Sequence, residues 1–175
     1  MPDPAEGQRA AVVLIGAPGA GKTRTGKRVA RLLELPFVDT DKRIVAAHGP
    51  IPAIFAAHGE SHFRALEREE VARALGEHAV VSLGGGAILD EATQADLAGH
   101  RVVQLTVSAD AFADRISTGK RPLVTGIDSW VALVGTRQPI YDRLSQLTID
   151  TSRRPLDGVA REIAQWLTAP RLGEL

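Results

Sequence analysis

Residues 10–23 read Ala-Ala-Val-Val-Leu-Ile-Gly-Ala-Pro-Gly-Ala-Gly-Lys-Thr, a short apolar run followed by a glycine-rich turn that closes on Lys22 and Thr23. The run at 10–15 has the pattern of a strand buried on both faces. Residues 16–23 match G-x-x-x-x-G-K-[ST] in full. Glycines at those places let the backbone curl so that successive N–H groups point inward at phosphate oxygens. A helix beginning at Lys22 adds its positive end to the same spot. Lys22 is the mobile charge for the β- and γ-phosphates, and the Thr23 hydroxyl is a candidate magnesium ligand. The chain has 17 glycines but only four lysines. A match by chance is expected in roughly four chains per thousand of this composition. Its position between a strand and a helix favours a nucleotide site over a structural turn.

Outward from this stretch, strand and helix alternate. Short apolar segments at 36–38, 79–83 and 147–149 read as strands, and 101–107 reads as a strand of alternating character. Helical patterns occupy 22–33, 90–97, 109–116, 129–144 and 156–167. The stretch 42–76 reads as helices broken near Gly49-Pro50 and at Gly59. The expectation is one domain over residues 1–175, of the P-loop NTPase-like α/β class. It is a three-layer α/β/α arrangement around a five-stranded parallel sheet, with ligands bound outside the carboxyl ends of the strands.

Composition narrows the function. The 175 residues carry 21 basic and 21 acidic side chains, 44% hydrophobic residues, 4% aromatics and no cysteine. Balanced charge and few aromatics argue against a nucleic-acid coat. The lack of cysteine excludes disulfides and thiolate metal sites. Residues 1–9 are polar and hold two prolines, and no apolar run approaches the ~20 residues of a membrane span. A soluble, cytoplasmic protein without nucleic-acid or membrane partners is expected. The chain contains no asparagine, so the Asn-Lys-x-Asp guanine reader of GTPases is missing. The apolar strand at 80–83 ends in Gly84-Gly85-Gly86 rather than in the acidic pair of motor-type ATPases. A small-molecule kinase fits best.

Two further strand ends carry chemistry. Asp39 and Asp41 lean to the same side of the sheet. One can serve the magnesium shell while the other orients or deprotonates an acceptor hydroxyl. The alternative is an Asx-type cap for the next helix. The glycines at 84–86 leave backbone N–H groups open to a ligand oxygen, or simply make a tight turn. Arg64, Arg121 and Arg137 are candidates for clamping a carboxylate or a phosphoryl group, although Arg64 and Glu67 also have the spacing of an intrahelical pair. His58 and His62 lack the H-E-x-x-H arrangement of a zinc site and read as exposed.

The ordered set of motifs resembles the shikimate kinase family over nearly the whole chain. It comprises the phosphate loop, D-T-D at 39–41, I-F at 54–55, F-R-x-x-E at 63–67, G-G-G-A at 84–87, R-P-L at 121–123 and R-x-P-I-Y at 137–141. The resemblance implies ATP-dependent phosphorylation of the 3-hydroxyl of shikimate, in chorismate and aromatic amino-acid synthesis, by a monomer. By the family pattern Thr23 and Asp39 serve Mg2+, the latter through water. Gly19, Ala20, Gly21, Lys22, Thr23 and Arg24 bind ATP, with Arg115 and Arg154 near adenine. Asp41 binds the hydroxyls and is the implied base. Arg64 and Arg137 grip the carboxylate, Gly85 and Gly86 donate backbone contacts, and Phe55 and Phe63 wall the pocket. Helices over about 42–76 form the substrate-binding region. Residues of about 117–125 form a mobile lid, from which Arg121 reaches phosphates and substrate. Val45 and Ala65 stand where the family often has an acid and a second arginine, and the stretch 126–133 departs from its pattern.

Overall fold

β1 (Val12–Gly16) is buried along its whole length, as its unbroken apolar run requires of a central parallel strand. Its side chains alternate between two cores. Val12 and Leu14 face one with Val29, Ala30, Val159, Ala160 and Ile163. Val13 and Ile15 face the other with Val71, Ala74, Ile88, Leu97 and Tyr141. Each such buried aliphatic side chain contributes about 1.5–3 kcal/mol by leaving water, so two opposed cores hold one sheet between helical layers. The computed structural model describes residues 8–117 and 126–170.

The element order continues with α1 (Lys22–Leu33), β2 (Phe37–Asp39), α2 (Thr40–His48), α3 (Ile51–His58), α4 (Glu60–Leu75) and β3 (Val80–Ser82). A single 3-10 turn at Ala87–Leu89 leads to α5 (Glu91–Leu97), β4 (Val102–Thr106), α6 (Ala109–Ser117), α7 (Ile127–Leu144), β5 (Leu147–Asp150) and α8 (Leu156–Thr168). The strands form a five-stranded sheet in the order β2-β3-β1-β4-β5, every pairing parallel. In register, Val12 lies beside Val80, Asp39 beside Ser82 and Gly16 beside Leu105. α1 and α8 cover one face of the sheet, and α4 and α5 the other. The chain thus leaves β1 and β3 toward opposite faces, which opens a crevice at their carboxyl ends. Gly16–Thr23 and Gly84–Gly86 stand on either side of that crevice.

β4 differs from its expected alternation: Val102 through Leu105 are all buried, Gln104 included. A polar residue inside a central strand needs partners, and Gln104 has them. Its Nε2 donates to Asp142 Oδ1 at 2.9 Å, and its Oε1 accepts from Gln138 Nε2 at 2.7 Å. The polar character read as solvent-facing is an internal tie between β4 and α7. Beyond the sheet, α2, α3 and α4 build a small core of their own from Ile44, Ile54 and Phe63, with Phe55 and Leu66 packed against it. The breaks between these helices fall at Gly49-Pro50 and Gly59, where the glycine φ angles are 87° and 83°. No helix among the described residues is long and apolar enough to cross a membrane.

Candidate active site

The backbone carbonyls of the loop after β1 are each partnered within the protein. Lys22 Nζ donates to Gly16 O at 2.7 Å and to Ala17 O at 3.1 Å. Trp130 Nε1 donates to Pro18 O at 2.9 Å, Arg115 to Gly19 O at 2.6 Å and Thr151 Oγ1 to Ala20 O at 2.7 Å. Gly21 O accepts from Thr25 N at 2.9 Å. A trans peptide plane points its N–H opposite to its C=O. Holding the carbonyls outward therefore turns the amides of Gly19, Gly21 and Lys22 toward the interior of the curl, where an anion would be ringed by donors. Gly21 enters α1 with φ of 89°, a left-handed conformation that glycine adopts without a steric penalty.

Thr23 follows on the first turn of α1, and its Oγ1 donates to Asp39 Oδ2 at 2.7 Å. The other Asp39 oxygen accepts from Lys42 N at 3.1 Å and caps α2. The two readings of Asp39 are thus compatible, since one oxygen caps the helix and the other stands beside the phosphate loop. Hydroxyl and carboxylate oxygens are the hard donors that suit Mg2+. Among the described residues no group of three or more His, Cys, Asp or Glu side chains could cage a metal.

Asp41, two residues on, sits in the first turn of α2. Its Oδ1 is sealed from solvent and has no hydrogen-bond partner among the described residues. Burial, reinforced by the neighbouring charge of Asp39, raises its pKa above the ordinary aspartate value, against the opposing pull of Lys22 and Arg64. A carboxylate so placed holds its proton more tightly than usual and has acceptor capacity left over.

The three glycines after β3 face three of the expected substrate residues. A Cβ on Gly84 would strike the Asp41 carboxylate. One on Gly85 would come within 3.2 Å of Arg137 Nη1, and one on Gly86 within 2.6 Å of Arg64 Nη1. The side chains missing from this turn are the space that Asp41, Arg137 and Arg64 occupy. That use of the glycines went beyond the exposed amides inferred from sequence. The cradle is braced from below by Tyr141, 1% exposed, whose hydroxyl donates to Gly85 O at 2.6 Å. Arg64 also donates to Glu67 at 2.7 Å and lies over the Phe63 ring at 5.4 Å. Glu67 is buried, which raises its pKa, while the Arg64 hydrogen bond opposes the shift. Phe55 and Phe63 pack with ring centroids 5.0 Å apart.

Other expected residues lie elsewhere or do other things. Arg24 is exposed on α1. Arg154 pairs with Glu162 at 2.6 Å, and Arg115 donates to Thr151 O at 2.6 Å as well as to Gly19. His58 and His62 are exposed, their ring centroids 4.6 Å apart. Arg121 and the lid stretch lie outside the described residues, except Ser117, which ends α6. Sequence reasoning did not single out Trp130, Phe112 or Thr151. The available signal was the rarity of tryptophan, of which the chain has two.

The shikimate kinase family profile matches residues 18–168. A shikimate kinase from Thermobifida fusca is 48% identical over 166 residues, covering 92% of this chain and 96% of that relative. One from Mycobacterium avium is 44% identical over 163 residues, covering 90% and 93%. Among solved structures, shikimate kinase from Acinetobacter baumannii in complex with shikimate superimposes with a TM-score of 0.83 at 30% identity, covering 93% of this chain and 94% of that one. A gluconokinase from Sinorhizobium meliloti shares the fold at a TM-score of 0.59 and 20% identity.

Proposed function

The chain belongs to the shikimate kinase family, and from that premise we propose that it transfers the γ-phosphoryl group of ATP to the 3-hydroxyl of shikimate. The observation that carries this reading is the convergence of Asp41, Arg64 and Arg137 on Gly84–Gly86, across the crevice from a phosphate loop whose carbonyls are held outward. An acceptor bearing both a carboxylate and hydroxyls matches two guanidinium groups and one carboxylate.

Each residue then has a task. The amides of Gly19, Gly21 and Lys22, with the Lys22 ammonium, bind the β- and γ-phosphates, and Ala20, Arg24 and Arg121 add contacts to the nucleotide. Thr23, and Asp39 through water, would hold Mg2+, which when bound would neutralise charge on the phosphates. Arg64 and Arg137 grip the shikimate carboxylate. Phe55 and Phe63 form the apolar wall, and Gly85 and Gly86 offer backbone contacts. The 3-hydroxyl oxygen forms a bond to the γ-phosphorus as the bond from that phosphorus to the β,γ-bridging oxygen breaks. ADP leaves with the bond's electron pair, and the hydroxyl proton passes to Asp41. A base with a raised pKa gains driving force for that transfer. Arg115 and Arg154 flank the adenine while keeping their protein partners. The protein acts in the cytoplasm as a single domain and as a monomer.

ADP release measured with shikimate, gluconate and AMP as acceptors tests the reading. Turnover with shikimate at least a hundredfold above the other two is expected. Equal turnover with gluconate, or release independent of any acceptor, would overturn it.

A further inference from the structure

Trp130 belongs to no motif quoted above, yet it is the side chain that reaches Pro18 in the phosphate loop. It comes from the first turn of α7 and is 3% exposed, and its indole N–H donates to Pro18 O at 2.9 Å. Its ring stacks on Phe112 with centroids 4.3 Å apart and planes 12° apart. The Phe112 ring in turn fills the space beside Gly19, where a Cβ would come within 2.6 Å. The two aromatic rings thus form a floor under the loop, and one polar atom rises from it. The plane joining Pro18 to Gly19 carries the Gly19 N–H, which lies opposite the carbonyl that Trp130 holds. Arg115 from α6 and Thr151 after β5 hold the next two carbonyls. Trp130 holds the first of these three successive carbonyls.

We propose that Trp130 is a positioning residue for the nucleotide, its indole N–H fixing the Pro18–Gly19 peptide so that the Gly19 amide points at a phosphate oxygen. The inference rests on the kinase reading only in taking the loop's ligand to be a nucleoside polyphosphate. A purely structural tryptophan would serve by its bulk. A positioning one serves by its N–H.

Two substitutions separate these roles. Trp130→Phe keeps an aromatic ring against Phe112 and deletes the donor. Trp130→His loses the benzo ring, but its Nε2 takes the place in the five-membered ring that the indole nitrogen holds. MgADP binding measured by calorimetry without acceptor should weaken roughly tenfold in Trp130→Phe, the size of one lost hydrogen bond. The shikimate KM at saturating ATP should stay within about twofold. Trp130→His should bind MgADP more tightly than Trp130→Phe even though it melts lower. Unchanged MgADP affinity in Trp130→Phe would overturn the proposal, as would an affinity order that follows bulk or a parallel rise in the shikimate KM. If neither variant folds, Trp166→Phe leaves Trp130 as the sole indole. Its emission should then shift on adding MgADP, and an emission that ignores MgADP would overturn the proposal. Failure of the wild-type protein to phosphorylate shikimate would leave these binding outcomes readable, so the two readings fail separately.

Discussion

The loops after β1 and β3 face each other across one crevice and are built on opposite terms. In the loop at 16–23 the carbonyls from Gly16 to Gly21 are partnered, and both oxygens of neighbouring Asp39 are engaged. Around Gly84–Gly86 the Asp41 Oδ1 has no partner among the described residues, and burial holds both Asp41 and Glu67 above their ordinary carboxylate values. The first loop is finished by the protein itself, so its amides are aimed before any ligand binds. The second keeps hydrogen-bonding capacity that the described residues do not satisfy, at a cost in stability, and a polar acceptor would satisfy it. The difference shows where the fold spends its order and where it stores reactivity.

The largest effect that tests this contrast lies in the first loop. Lys22→Met removes a charge from a ring of donors and should lower kcat on the order of 10²–10³-fold, with the fold retained. Near-normal turnover would break the comparison at its nucleotide side. Next comes the acceptor side. Arg137→Lys keeps the charge and loses the planar fork, so kcat/KM for shikimate should fall roughly ten- to a hundredfold, about 1.5–3 kcal/mol, the size of a charged hydrogen bond. MgADP affinity should stay unchanged, and an equal loss of nucleotide binding would refute the division of labour.

Gly86→Ala is a smaller step. Its Cβ meets the Arg64 guanidinium at 2.6 Å, and a flexible side chain can yield, so the shikimate KM should rise several-fold without loss of fold. A large drop in melting temperature instead would show that the glycine serves the turn and not the cradle. Tyr141→Phe should show the smallest kinetic change. It leaves the half-buried Gly85 carbonyl without its donor, which costs about 1–3 kcal/mol of stability, and differential scanning calorimetry would register that while kcat moves little.

The first loop was also the more legible in sequence. Its glycines, lysine and threonine lie within eight consecutive residues, and one local motif specifies the curl. The sheet was legible for the same reason: unbroken apolar runs such as 12–15 and 80–81 state their burial locally. β4 misled because Gln104 is satisfied by Gln138 and Asp142, more than thirty residues away. The braces of the phosphate loop were hidden similarly, since Trp130 and Pro18 are 112 positions apart and Thr151 and Ala20 are 131 apart. At Gly84–Gly86 the sequence announced a turn, but only the fold shows that Asp41, Arg137 and Arg64 come from three different helices to fill its missing side chains.

The most direct measurement is the melting temperature of Asp41→Asn against pH, taken together with its turnover. Because the folded state raises the Asp41 pKa, Asp41 adds most to stability when protonated, below the unfolded-state value of about 3.8. That contribution is lost as pH rises through the raised folded value. Above that raised value the ionised side chain is therefore a liability that the amide relieves. Asp41→Asn should melt at or above the wild-type temperature at pH 7, with the advantage shrinking as pH falls through the raised value, while shikimate turnover falls on the order of 10²–10⁴-fold. A variant that melts several degrees lower at pH 7, or that retains shikimate turnover within about tenfold, would contradict the claim that the cradle holds Asp41 for reaction and not for stability.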